Sequence, residues 1–323
     1  MNPTIIRLNP TQFVRLPERK AIAVSNTSIV LFIRNSFRNL VMNTISRIQK
    51  ATQIFSFFMV LFSSMIVNAQ SEIDQPEKAI SFDHQVWSSL LNKHVSLIRD
   101  NKASEVSYQG FKADDALLQQ YLDTLSAVDQ AAFDKWSKNE RLAFLINAYN
   151  AWTVKLIVNN LGEIDSIKDI GGLFSSPWKK SFIPLFDEKV SLDHIEHTLI
   201  RGEGNFNEPR IHFAVNCASI GCPSLLNEAF FAATLDEQLE SQTVNFFRDE
   251  QRNYAKGNTL YISPILKWYR DDFEKGWGDS NSLSEFLGRY ATSLALSDEQ
   301  IAKLNAKGMK IKFTKYDWNL NGK

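Results

Sequence analysis

The chain has 323 residues, 44% hydrophobic and 22% charged, with 36 basic and 36 acidic side chains and a formal net charge of zero. That zero hides a split. Residues 1–69 hold eight Lys/Arg and one acid, Glu18, and the remainder holds 28 basic and 35 acidic residues, a mildly acidic balance that excludes a nucleic-acid footprint.

The basic front has the form of an export signal. Arg47 and Lys50 make a positive n-region, Ile54–Val67 is an uncharged apolar h-region, and Val67-Asn68-Ala69 offers a cleavage site before Gln70. The h-region is shorter than the roughly 20 residues a spanning helix needs. Residues 1–41 are therefore expected to be an over-extended start or a basic tail, 42–69 a signal peptide, and 70–323 one globular domain. This predicts an exported periplasmic or cell-envelope protein that touches membrane only through the signal segment if it stays uncleaved. The alternative is an inner-membrane anchor formed by residues 54–67.

Past a polar leader, the spacing of Val86, Leu90, Leu91, Val95 and Leu97–Ile98 predicts a helix over 81–99, followed by a strand at Val106–Tyr108 and a helix at 114–125. Ser137-Lys138-Asn139-Glu140 is a capping box. Apolar groups on every side of the residues that follow predict a central, buried helix ended by Gly162. Phe182–Phe186 and Lys189–Val190 read as a small hairpin, with Pro184 on its edge. Ser191 caps a helix over 192–201, Arg210–Val215 alternates like a strand, and Thr234-x-x-Glu237 opens a helix to about Arg252. Leu260–Ile262 and Met309–Phe313 read as strands, with helices begun by Ser263-Pro264, Ser282 and Ser297 between and around them. The sum is an α+β fold, a mainly helical single domain with a small sheet. No strand leads into a Gly-rich phosphate loop.

Both cysteines lie in Ile211–Leu225, reading IHFAVNCASIGCPSL, with four residues between Cys217 and Cys222 and His212 upstream. Two readings stay open. One cysteine is a nucleophile, with His212 or His197 as base, Glu196 or Asn147 orienting it, and loop amides holding an oxyanion, for acyl transfer or amide hydrolysis. Alternatively the cysteines form a local disulfide, as close pairs in exported proteins do, and the groove beside them binds a small-molecule or peptide ligand. His194 and His197 are neighbours at i,i+3, but the zinc-helix pattern is absent and neither metal nor cofactor is expected. Asn147, Tyr149 and Asn150 interrupt an apolar helix, so they either bind a neighbouring loop or line a cleft. Trp268, Tyr269 and Trp277 form either a carbohydrate platform or core.

Four blocks, Asn139–Ile157 (NERLAFLINAYNAWTVKLI), Val190–Arg201 (VSLDHIEHTLIR), Glu208–Leu225 (EPRIHFAVNCASIGCPSL) and Ile262–Phe273 (ISPILKWYRDDF), occur in the order seen in the domain-of-unknown-function family 547. The chain resembles that family over about residues 139–273. The resemblance implies characteristic polar positions at Asn147, Tyr149, Asn150, Glu196, His197, His212, Asn216, Cys217 and Cys222, and no established activity. The Cys/His/Asn content is similar to papain-like thiol enzymes, but the His-before-Cys order is not theirs.

Overall fold

Ser137 starts the element around which the rest is packed. Its hydroxyl accepts from the Glu140 amide while Glu140 accepts from the Ser137 amide, so the capping box forms, and helix Lys138–Val158 follows. Nearly every residue from Leu142 onward is buried, as a helix apolar on all sides requires. It stops at Val158, ahead of Gly162, whose φ of +94° belongs to the following turn rather than to the helix end.

The computed structural model describes residues 82–172 and 176–322. The expected leader, signal peptide, h-region and cleavage site all lie outside the described residues. Those that are described fall in one compact unit, Ala79–Lys323, which is mainly helical with three small sheets. No helix among them is long and apolar enough to cross a membrane.

Helix Gln85–His94 is shorter than its periodicity predicted. The β-branched Val95 turns extended, and Val95–Ile98 pairs antiparallel with Ala103–Val106 across a turn at Arg99, Asp100 and Asn101, all with positive φ. Tyr108 therefore opens the next helix, capped by Ser107, and is not part of a strand. Helix Asp115–Ser126 packs on the central helix, and the Pro184 hairpin forms as Ile183–Leu185 against Glu188–Val190. Ser191 Oγ accepts from the His194 amide, but the helix that follows is a π-helix over His194–Ile200.

The expected strand at Arg210–Val215 is instead a 3-10 turn, Pro209–Phe213. Pro209 presets the first turn, and Glu208 accepts from the amide and guanidinium of Arg210. Six residues of apolar–polar alternation do not separate these states, and among the described residues no strand pairs with them. Thr234 makes no backbone cap; its hydroxyl donates to Gln238, and helix Leu235–Phe247 ends short of Arg252. Tyr254–Lys256, Thr259–Ile262 and Lys310–Phe313 form the third sheet, with the last pair parallel.

Two hydrophobic clusters make the core. The larger surrounds the central helix; the smaller gathers Phe246, Phe247, Ile265, Phe273 and Phe286. The Pro209–Val215 stretch lies on their seam, with Ile211, Ala214 and Val215 in the first cluster and Phe213 in the second.

Candidate functional site

The loop after that seam is tied from every direction. Cys217 and Cys222 form a disulfide. Ala218, at the left-handed φ of 61°, is held there by Asn216, whose Oδ1 accepts from the Ala218 amide and whose Nδ2 donates to the Pro223 carbonyl. Asn150, from the central helix, donates to the Ala214 carbonyl at 3.0 Å and accepts from the Asn216 amide at 2.8 Å. On the other side the C-terminal segment closes over the loop: the amides of Ile220 and Gly221 donate to the carbonyls of Asn319 and Asp317. Gly221 is required there, because a Cβ would stand 2.9 Å from the Asp317 carbonyl oxygen and 2.8 Å from the Tyr316 ring.

Where this loop meets the π-helix and the turn at Trp268–Tyr269, a cavity of about 200 Å³ opens. Tyr149, Asp193, Glu196, His197, His212 and both cysteines line it, together with an aromatic rim of Trp178, Trp268, Tyr269, Tyr316 and Trp318. Trp268 is 48% exposed at its edge, whereas Glu196 and His212 are 5% and 3% exposed.

His212 Nε2 lies 2.7 Å from Asp272 Oδ2, and its ring stacks on Tyr269 at a centroid distance of 3.9 Å. Asp272 also accepts from Arg201 Nε and from Lys275 Nζ at 3.1 Å. Burial alone would raise the Asp272 carboxyl, but the bonds from His212 and Arg201 prevail and hold it well below the usual carboxylate range. Burial pushes His212 down, against the pull of Asp272. The imidazole is thus neutral beside an ionised carboxylate, so its one proton belongs on Nε2. Nδ1 is left as an acceptor, and it is buried without a hydrogen-bond partner.

Glu196 repeats the pattern: its Oε1 is buried without a hydrogen-bond partner. Burial first, and then the Glu196 charge, push the hydroxyls of Tyr149 and Tyr269 well above the ordinary tyrosine range. Tyr316, raised to about 12 by burial, sets its hydroxyl 3.1 Å from Cys217 Sγ and 3.2 Å from Cys222 Sγ.

Of the residues singled out from sequence, the fold brings Tyr149, Glu196, His197, His212, Cys217 and Cys222 to one cavity. Asn147, Asn150 and Asn216 do not line it. Asn147 is fully buried and spends both ends of its amide on the backbone of Phe230, at 2.8 and 3.0 Å; Asn150 and Asn216 brace the loop as described. His197 is exposed, with Nδ1 on Arg201 and Nε2 3.5 Å from Asp193, and so is not in contact with either sulfur through those bonds. With the sulfurs joined to each other, neither cysteine is a thiolate in this state. Trp277 parts from Trp268 and Tyr269: it packs on Phe286 under the guanidiniums of Arg210 and Arg289. Among the described residues no group of three His, Cys, Asp or Glu is arranged to hold a metal.

Sequence reading missed Asp272, Trp178, Tyr316 and Trp318. Asp272 stands in the Ile262–Phe273 block beside an equally acidic Asp271, and only the fold distinguishes them. The aromatic pair near the C-terminus carries no local signal beyond its composition, YDW.

The site therefore defines a mainly helical α+β domain with a disulfide-walled, aromatic cavity over buried carboxyl and imidazole acceptors. Residues 133–247 match the family model described as "Protein of unknown function, DUF547", and this stretch is a domain of that family. The match spans the central helix, the π-helix and the disulfide loop, and stops before Tyr269, Asp272, Tyr316 and Trp318. No curated protein and no solved structure matches the chain.

Proposed function

We propose that the protein is a non-catalytic binding module that takes up a small hydrogen-bond-donating ligand in this cavity. One observation carries the reading: two buried acceptor atoms, Glu196 Oε1 and His212 Nδ1, belong to residues lining the cavity and make no hydrogen bond, although the Tyr149 and Tyr269 hydroxyls bond to the Glu196 carboxyl. A buried acceptor left unmade costs about 1–3 kcal/mol. A ligand donating to both recovers that cost, and the disulfide and the Asn150 clamp keep the wall in place so that little ordering is required on binding. Thiol-dependent acyl transfer or amide hydrolysis at Cys217 or Cys222 is the less supported reading, since the disulfide must open before either sulfur attacks. Export to an oxidising compartment is supported by the pattern of residues 42–69 together with the disulfide.

The test is a thermal-shift and calorimetric titration of the oxidised protein with small compounds that donate hydrogen bonds and with matched ethers and esters that do not. Donor compounds are expected to stabilise the parent protein, by about 2.7 kcal/mol at a hundredfold excess over Kd. They should not stabilise His212→Phe, which keeps the ring stack on Tyr269 and removes the acceptor. Equal response to donors and non-donors, or binding unchanged in His212→Phe, refutes the reading.

A further inference from the structure

Resting on that reading, we infer that the donor is a primary ammonium group, carried by a small alkylamine or by a lysine-type side chain.

The lining of the cavity includes no Lys and no Arg, and its carboxyl groups are Asp193 and Glu196. Glu196 makes no ion pair among the described residues, in contrast to Asp272 behind it, which is satisfied by Arg201, Lys275 and His212. Glu196 is 5% exposed and takes hydrogen bonds from Tyr149 and Tyr269 but pairs with no cation among the described residues, and a cationic ligand supplies the missing countercharge where a neutral one does not. Anionic ligands are disfavoured by the same charges.

The rim supports the same sign. Faces of aromatic rings attract cations, most strongly when water is excluded. Two rings of this rim already hold one: Lys168 Nζ sits 3.4 Å from the Trp318 centroid, and the Arg201 guanidinium 4.9 Å from that of Tyr269. No cation sits over the rings of Trp178, Trp268 or Tyr316 among the described residues, and these are the walls left for a ligand.

Size and donor count narrow the class further. About 200 Å³ is below the range of roughly 300–1,000 Å³ typical of drug-sized ligands, so a group of a few heavy atoms fits. The two acceptor atoms need a hydrogen-bond donor, which a primary ammonium supplies together with charge and a quaternary ammonium lacks. At pH 7 an alkylamine, titrating near the lysine value of about 10.4, is fully charged.

The experiment is an isothermal titration of the oxidised full chain with four probes: n-butylammonium, 1-butanol, tetramethylammonium and Nα-acetyl-lysine methylamide. n-Butylammonium is expected to bind at least tenfold more tightly than 1-butanol, which donates without charge, and than tetramethylammonium, which is charged without donating. Glu196→Gln should weaken butylammonium at least tenfold. Trp268→Ala, a change at a half-exposed position that does not threaten folding, should weaken it severalfold. Tighter binding of the lysine derivative than of butylammonium assigns the source as a peptide side chain, and the reverse assigns a free amine; both support the inference. If 1-butanol or another neutral donor binds as well as butylammonium, the ammonium inference falls and the binding-module reading stands. If no donor of either kind binds, both fall.

Discussion

Asn150→Leu is the substitution on which the account of the loop is most exposed. The side chain is 2% exposed and makes two bonds that cross more than sixty residues, donating to the Ala214 carbonyl and accepting from the Asn216 amide. Leucine fills the space but leaves both backbone groups buried without a partner. Each orphaned group costs about 1–3 kcal/mol, so the loss is about 4 kcal/mol, a large share of the roughly 5–15 kcal/mol that holds a domain folded. The assay is urea unfolding of the oxidised protein. With a slope of about 2–3 kcal/mol per molar, the midpoint should fall by about 1.5 M with the slope unchanged. Asn147→Leu, which removes the matching clamp on Phe230, should behave alike. If Asn150→Leu stays within about 1 kcal/mol of the parent, the loop does not depend on this clamp, and the reasoning that assigns Asn150 to bracing rather than to the cavity is refuted.

Replacing both Cys217 and Cys222 by alanine removes a short closed loop and should cost only about 2 kcal/mol; a loss above 4 in calorimetry, or none, contradicts the view that the loop is held mainly by its hydrogen bonds. Acidification should destabilise the protein in two stages. His84, lowered to about 3 by burial, stays neutral in the fold while the unfolded chain takes up its proton below about pH 6.5. About 2 kcal/mol is therefore lost by pH 5, and His212, also lowered, acts in the same direction. Asp272, whose folded value is depressed, contributes stability above the ordinary aspartate value of about 3.9 that is lost as pH falls below it. Stability measured from pH 8 to pH 3 checks both stages, and His84→Gln should flatten the first. Gly221→Ala should cost about 1–3 kcal/mol and loosen the Tyr316–Trp318 rim, because the atom it meets is a backbone oxygen; unchanged stability together with unchanged ligand binding would contradict the close approach of the tail.

What the sequence determined by itself is what acts over a few residues. The caps at Ser137, Ser282 and Ser297 form as their spacing requires, because donor and acceptor are three positions apart. The Pro184 hairpin and the burial of the central helix follow equally from local chemistry and from an apolar surface with no polar side to expose. The nearness of the two cysteines also made their pairing one of two readable outcomes. The tertiary structure decided the rest. Whether Arg210–Val215 is strand or 3-10 turn depended on a partner strand, and among the described residues none pairs with it. The role of His212 depended on Asp272, sixty positions away, and the cavity wall on Tyr316 and Trp318, about a hundred positions from the disulfide they cover. Asn147 and Asn150 look like site residues in sequence because they are polar in an apolar helix. Their amides are spent instead on backbone that only the folded chain brings within 3.0 Å. Hydrogen bonds and burial at such separations are set by the packing of the whole core, and a local pattern carries no record of them.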